Sequence, residues 1–147
     1  MRFIHTNIVS ENWKQLSDFY INVFKCKVKP PERNLSGKWL EDVTDIKNAE
    51  IQGVHLILPG YGDDGPTLEI FTYNQIFKCK QPNSNYTGFT HIAFEVENVD
   101  ETYKTAIANG ASPLGKIVEK QIENLGMLKL VYFRDPEGNI VEIQSFN

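Results

Sequence analysis

The chain has 147 residues, the usual size of one domain, with a formal net charge of −4. Hydrophobic residues make up 41% and charged residues 23%, which is enough apolar material for a core without a disulfide staple. The acidic balance and the lack of a basic run exclude the electrostatic footprint of a nucleic-acid or anionic-membrane binder, and no apolar stretch has the length of a membrane span.

The first residues run straight into a strand-like pattern. They lack a long apolar segment and a small-residue cleavage site, so no signal peptide is expected. Residues 3–9 read as a strand. Asn12 is placed to cap a helix from Trp13, in which Leu16, Phe19, Tyr20, Val23 and Phe24 form one apolar stripe. Residues 26–29 read as a short strand ended by Pro30 and Pro31. Residues 32–48 are polar and read as a long loop, with Trp39 and Leu40 as isolated anchors able to reshape a pocket. Residues 51–58 and 67–73 read as strands joined by a Gly- and Asp-rich turn.

Residues 75–87 are polar and read as a linker between a first module, about 1–74, and a second, about 88–147, of one domain. Residues 89–96 read as a strand. Asn98 is placed to cap a helix over 99–109, with Glu101 completing a capping box and Gly110 ending it. Residues 113–120, 127–133 and 139–144 read as strands. Cys26 and Cys79 form no paired motif, so both are read as reduced thiols of a cytoplasmic protein.

The element order repeats: strand, helix and three strands, twice. Phe3-Ile4-His5-Thr6 matches Phe89-Thr90-His91-Ile92. Gly65-Pro66-Thr67-Leu68-Glu69-Ile70 matches Gly138-Asn139-Ile140-Val141-Glu142-Ile143. Side chains alternate across a strand. Ile4, Ile8, Leu68, Ile70, Ile92, Phe94, Val141 and Ile143 therefore fall on faces that helices should cover. His5, Glu69, His91 and Glu142 fall on the opposite faces. A carboxylate facing a sheet interior is costly unless it is paired or bound to a metal. Two imidazoles and two carboxylates suit one divalent ion, Zn²⁺, Ni²⁺, Co²⁺, Fe²⁺ or Mn²⁺. The competing reading is two His–Glu pairs lining a wet groove.

These segments, with Leu16-Ser17-Asp18-Phe19-Tyr20, Gly88-Phe89-Thr90-His91-Ile92-Ala93-Phe94 and the motif Asp135-Pro136-Glu137-Gly138-Asn139-Ile140-Val141-Glu142, resemble the vicinal-oxygen-chelate superfamily. That superfamily includes glyoxalases, bleomycin resistance proteins, epimerases and extradiol dioxygenases. The resemblance implies an α+β fold of two βαββ modules in a curved mixed sheet around a metal cleft. Its ligand pattern is closest to that of glyoxalase I (lactoylglutathione lyase), which implies metal ligands at His5, Glu69, His91 and Glu142.

By the same resemblance the expected function is a metal-dependent lyase or isomerase. Its small vicinal-oxygen substrate would be the hemithioacetal of a 2-oxoaldehyde such as methylglyoxal, formed with a thiol cosubstrate and reacting through an enediolate. Glu142 is expected as the base, with Glu69 as its counterpart. A homodimer is implied, with ligands from one chain or two. The alternatives are a small-molecule-binding or resistance protein without turnover, an epimerase, and a dioxygenase. Bacterial glyoxalases usually carry Arg four residues after the first His, where this chain has Val9.

Other signals read as structural. Gly60-Tyr61-Gly62-Asp63-Asp64-Gly65 spells a dinucleotide motif but precedes a strand, so it reads as a hairpin turn. His55 reads as an ordinary partnered strand residue, with a supporting role beside Glu69 as the alternative. Asn34-Leu35-Ser36 and Asn85-Tyr86-Thr87 are glycosylation sequons by letter only.

Overall fold

The computed structural model describes residues 1–78, 80 and 83–147, and the chain divides into two units, Met1–Lys78 and Cys79–Asn147, each built on its own sheet. In the first unit the order is β1 (His5–Val9), α1 (Trp13–Phe24), β2 (Lys27–Ser36), α2 (Lys38–Thr44), β3 (Glu50–Ile57) and β4 (Thr67–Tyr73). The sheet runs β1-β4-β3-β2, with β1 parallel to β4 and the other neighbours antiparallel.

α1 starts where its cap dictates. The Asn12 side-chain oxygen accepts from the Gln15 N–H at 3.2 Å, satisfying one of the donors a helix start leaves open. The helix ends through Lys25 in the left-handed region, φ 60°. Its buried stripe of Leu16, Phe19, Tyr20, Val23 and Phe24 packs on β3 and β4. It meets Val54, Leu56, Leu68 and Ile70, all at most 2% exposed. Each such side chain contributes about 1.5–3 kcal/mol on burial.

Two expectations need correction here. Pro30 and Pro31 do not end the second strand, because β2 continues to Ser36. Lys29 pairs with His55 and Arg33 with Gly53, so the intervening residues are taken up in an irregularity. A bulge excuses proline from the ladder, which is why the strand survives both. Residues 32–48 are not one long loop either, since they complete β2 and form α2. Only Leu40 of α2 is buried, packed with Ala49, Ile51 and Phe71, while Trp39 is exposed. A seven-residue helix with one inward residue leaves no periodic signal to read.

One glycine is demanded by close approach. A Cβ on Gly53 would sit 2.0 Å from the Ile70 carbonyl oxygen and 2.5 Å from the Phe71 ring. The backbone of β3 therefore lies against β4 as only glycine allows.

The second unit runs β5 (His91–Glu95), α3 (Val99–Ala108), β6 (Ser112–Pro113), β7 (Val118–Ile122), β8 (Gly126–Arg134) and β9 (Ile140–Phe146). Its sheet order is β5-β9-β8-β6, with β7 also paired to β8. β5 is parallel to β9, as β1 is to β4. The Asn98 side chain caps α3 through the Glu101 N–H at 3.1 Å. α3 packs on β8 and β9, whose inward residues include Val131, Phe133, Val141 and Ile143. The expected single strand over 113–120 is instead two short pieces along β8, with Gly115 bonded to the Tyr132 carbonyl between them.

The fold is thus α+β, with two mixed sheets and three helices among the described residues. Cys26 is a buried free thiol, and burial pushes its pKa up to about 12. Cys79, with part of the expected linker, lies outside the described residues. Among the described residues no helix is long and apolar enough to cross a membrane.

Candidate metal and substrate site

In each unit the register turns a glutamate to the face that the long helix leaves open, with two histidines beside it in the first unit and one in the second. In the first, Asn7, Glu69, His55 and Lys29 form one transverse row across four strands, and His5 and Thr67 stand in the next. In the second, Ala93, Glu142 and Tyr132 form a row, with His91 and Ile140 beside it. Side chains paired in register share a face. The aliphatic residues between them alternate to the helix side, as the sequence pattern predicts.

The Glu69 side chain is 11% exposed and that of Glu142 is 10% exposed. His5 Nδ1 lies 3.4 Å and His55 Nε2 3.0 Å from the same Glu69 oxygen. His91 Nε2 lies 3.1 Å from Glu142 Oε2, and its other ring nitrogen meets the Thr90 hydroxyl at 3.0 Å. The Tyr132 ring stacks near His91, with centroids 5.1 Å apart, and its hydroxyl donates to Glu142. All three histidines of the chain therefore stand against these two glutamates.

Two neighbours have shifted pKa values with physical causes. Burial pushes the His55 imidazole below its ordinary value, against the pull of Glu69; the charges of Arg33, His5 and Lys29 act in the same direction as burial. Burial also pushes the Tyr132 phenol up, and the charge and hydrogen bond of Glu142 add to it. Burial thus favours the neutral imidazole of His55 and the neutral phenol of Tyr132 beside the two carboxylates. His55 is found beside Glu69, its Nε2 3.0 Å from the carboxylate. Sequence reasoning missed Tyr132, although it sits opposite Glu142 in the register just as His55 sits opposite Glu69.

Among the described residues, the ion-pair partners of Glu69 and Glu142 are histidines. A nearly buried carboxylate without a permanent cation is what a divalent ion would compensate. The donor set is imidazole nitrogen and carboxylate oxygen, which fits a borderline or hard divalent metal. Each unit brings one His–Glu pair, half of such a set. Among the described residues no three His, Cys, Asp or Glu side chains of the chain are grouped as metal ligands. Trp39 is exposed, while Leu40 packs with Ala49, Ile51 and Phe71. Val9, in the place of the expected arginine, is exposed on the edge strand β1.

Comparison with known proteins places this geometry in context. The model of the glyoxalase/bleomycin resistance protein/dioxygenase superfamily matches residues 2–143. A metallothiol transferase FosB of Shouchella clausii is 38% identical over 61 residues, covering 40% of this chain and 39% of that relative. The matched stretch is thus well under half of the curated relative. A glyoxalase family protein from Bacillus cereus superposes with a TM-score of 0.78 at 21% identity, over 99% of this chain and 92% of its own. A glyoxalase family protein from Enterococcus faecalis gives 0.60 at 21% identity, over 98% and 95%. At such identities the structural likeness speaks for the fold alone.

Proposed function

Because the chain belongs to the glyoxalase/bleomycin resistance protein/dioxygenase superfamily, we propose that it is a metal-dependent lyase or isomerase of the glyoxalase type. In this reading His5, Glu69, His91 and Glu142 hold one divalent ion, Zn²⁺, Ni²⁺, Co²⁺, Fe²⁺ or Mn²⁺. One observation supports it above the rest: three histidines, all the chain has, are spent on two nearly buried glutamates at matching positions of two sheets. The reading holds whether the two halves of the ligand set come from one chain or from two. It is also the reading of a single 147-residue functional domain acting in the cytoplasm as a homodimer.

When bound, the ion would supply positive charge to two adjacent substrate oxygens as a carbon-bound proton leaves. The protein does the proton work. Glu142 takes the proton and returns it to the neighbouring carbon, and Glu69 is its counterpart in the other unit. Tyr132, hydrogen-bonded to Glu142, and His55, 3.0 Å from Glu69, hold the carboxylates in orientation. The substrate class is the hemithioacetal of a 2-oxoaldehyde such as methylglyoxal, so a small thiol is the implied cosubstrate.

The test is metal analysis followed by turnover. About one ion per chain is expected, lost in Glu142→Ala, together with conversion of methylglyoxal in the presence of one of several thiols. A metal-free protein with no turnover would exclude the enzyme. The partial match to a metallothiol transferase favours a second reading, a resistance-type protein that binds a small electrophile and a thiol. That reading predicts metal and thiol binding without conversion of methylglyoxal.

A further inference from the structure

Beside His5 and His55 lies a cavity of about 270 Å³ whose lining includes Arg2, Lys29 and Arg33 against one acid, Asp64. Its volume falls just below the range of drug-sized ligand pockets, so it suits a small molecule or one arm of a larger one. Three cations gather here in a chain whose net charge is −4.

The bulge in β2 explains the gathering. A regular strand pairing Lys29 with His55 would set Pro31 opposite Gly53. The irregularity sets Arg33 there instead. Lys29 and Arg33 therefore both belong to the face that carries Glu69 and His55. Arg33 donates to the Pro31 carbonyl, and Lys29 Nζ donates to the Asp63 carbonyl at 3.4 Å. These neutral acceptors position the cations without cancelling their charge. A guanidinium has five N–H donors, so Arg33 keeps a fork for an oxyanion.

We propose that this cavity is an oxyanion subsite, in which Arg33 and Lys29 hold a carboxylate or phosphate group of the substrate beside His5 and His55. It deepens, and rests on, the reading of the histidine–glutamate set as the reaction site. The substrate is then an anionic molecule whose charged group lies on the β2 side of the first unit.

Inorganic phosphate and acetate, titrated separately into the full chain without added metal, test this through the backbone N–H resonances of Gly65 and Thr67, which line the cavity. Saturable binding is expected. It should weaken at least ten-fold in Arg33→Ala and in Lys29→Ala, recover in part in Arg33→Lys, and stay unchanged in Lys104→Ala, which removes a charge from exposed α3. Tighter binding of phosphate assigns a phosphate-bearing substrate, and tighter binding of acetate a carboxylate. No saturable binding of either anion, or an equal loss in Arg33→Ala and Lys104→Ala, overturns the subsite. Zn²⁺ binding by the same proteins separates the two claims. Zn²⁺ retained with the anion response absent sinks only the subsite, whereas an Arg33-dependent anion response without Zn²⁺ binding sinks only the metal reading.

Discussion

Glu69 and Glu142 occupy matching positions in sheets of matching strand order, yet their surroundings differ. Glu69 meets two imidazoles at one oxygen, His5 and His55. Glu142 meets one imidazole and a phenol, His91 and Tyr132. The residue across the antiparallel ladder is histidine in one unit and tyrosine in the other. The next position on that face is Gly53 in one and Leu130 in the other. The first unit thus presses β3 against β4 at Gly53 and carries Lys29 and Arg33 on the face of its glutamate, whereas the second places Leu130 at the equivalent position. A duplicated frame keeps the carboxylate while the neighbouring positions diverge.

Breaking this contrast should cost most at the glycine. Gly53→Ala puts a Cβ against the Ile70 carbonyl and should destabilise the first unit by about 3 kcal/mol or more. Leu130→Ala, at the equivalent place, should cost only about 1 kcal/mol, because that side chain is half-buried. Urea denaturation with hydrogen exchange resolved by segment would measure both, and equal losses would refute the asymmetry.

The carboxylate partners come next. His55→Ala and Tyr132→Phe each remove a polar neighbour of a proposed ligand, an effect worth about 10–100-fold in metal affinity. His55→Ala should have the larger effect, since it leaves Glu69 with only the longer contact to His5. Competition with a chelator would rank the two.

The helix caps sharpen the likeness rather than the difference. Asn12→Ala and Asn98→Ala should each cost about 1 kcal/mol, because each removes the same side-chain acceptor from a helix N-terminus. Thermal denaturation would show unequal losses if the halves were not built alike.

Below about pH 9 the smallest effect belongs to the first unit's cysteine. In a Cys79→Ser background, Cys26 should not react with a thiol reagent at pH 8 until the chain is unfolded. Its folded pKa of about 12 stands above the ordinary 9.0, so the unfolded chain loses this proton first. Stability should therefore fall as pH climbs from about 9 towards about 12.

Much of the fold was legible because local chemistry speaks in short range. Asn12 and Asn98 mark helix starts by side-chain geometry, and alternation assigns Leu68, Ile70, Val141 and Ile143 to the core. β2 was truncated in the reading because prolines argue against a ladder, and only the pairing of Arg33 with Gly53 shows that a bulge rescues it. α2 was invisible because a single leucine carries its packing.

The sequence by itself determined the repeat and the faces that carry His5, Glu69, His91 and Glu142, since alternation along one strand is a local property. Only the tertiary structure decided that His55 and Tyr132 stand across from the glutamates and that Lys29 and Arg33 join the same face. Those contacts depend on the register between strands and on the residues a bulge absorbs, and no spacing within a single strand records either.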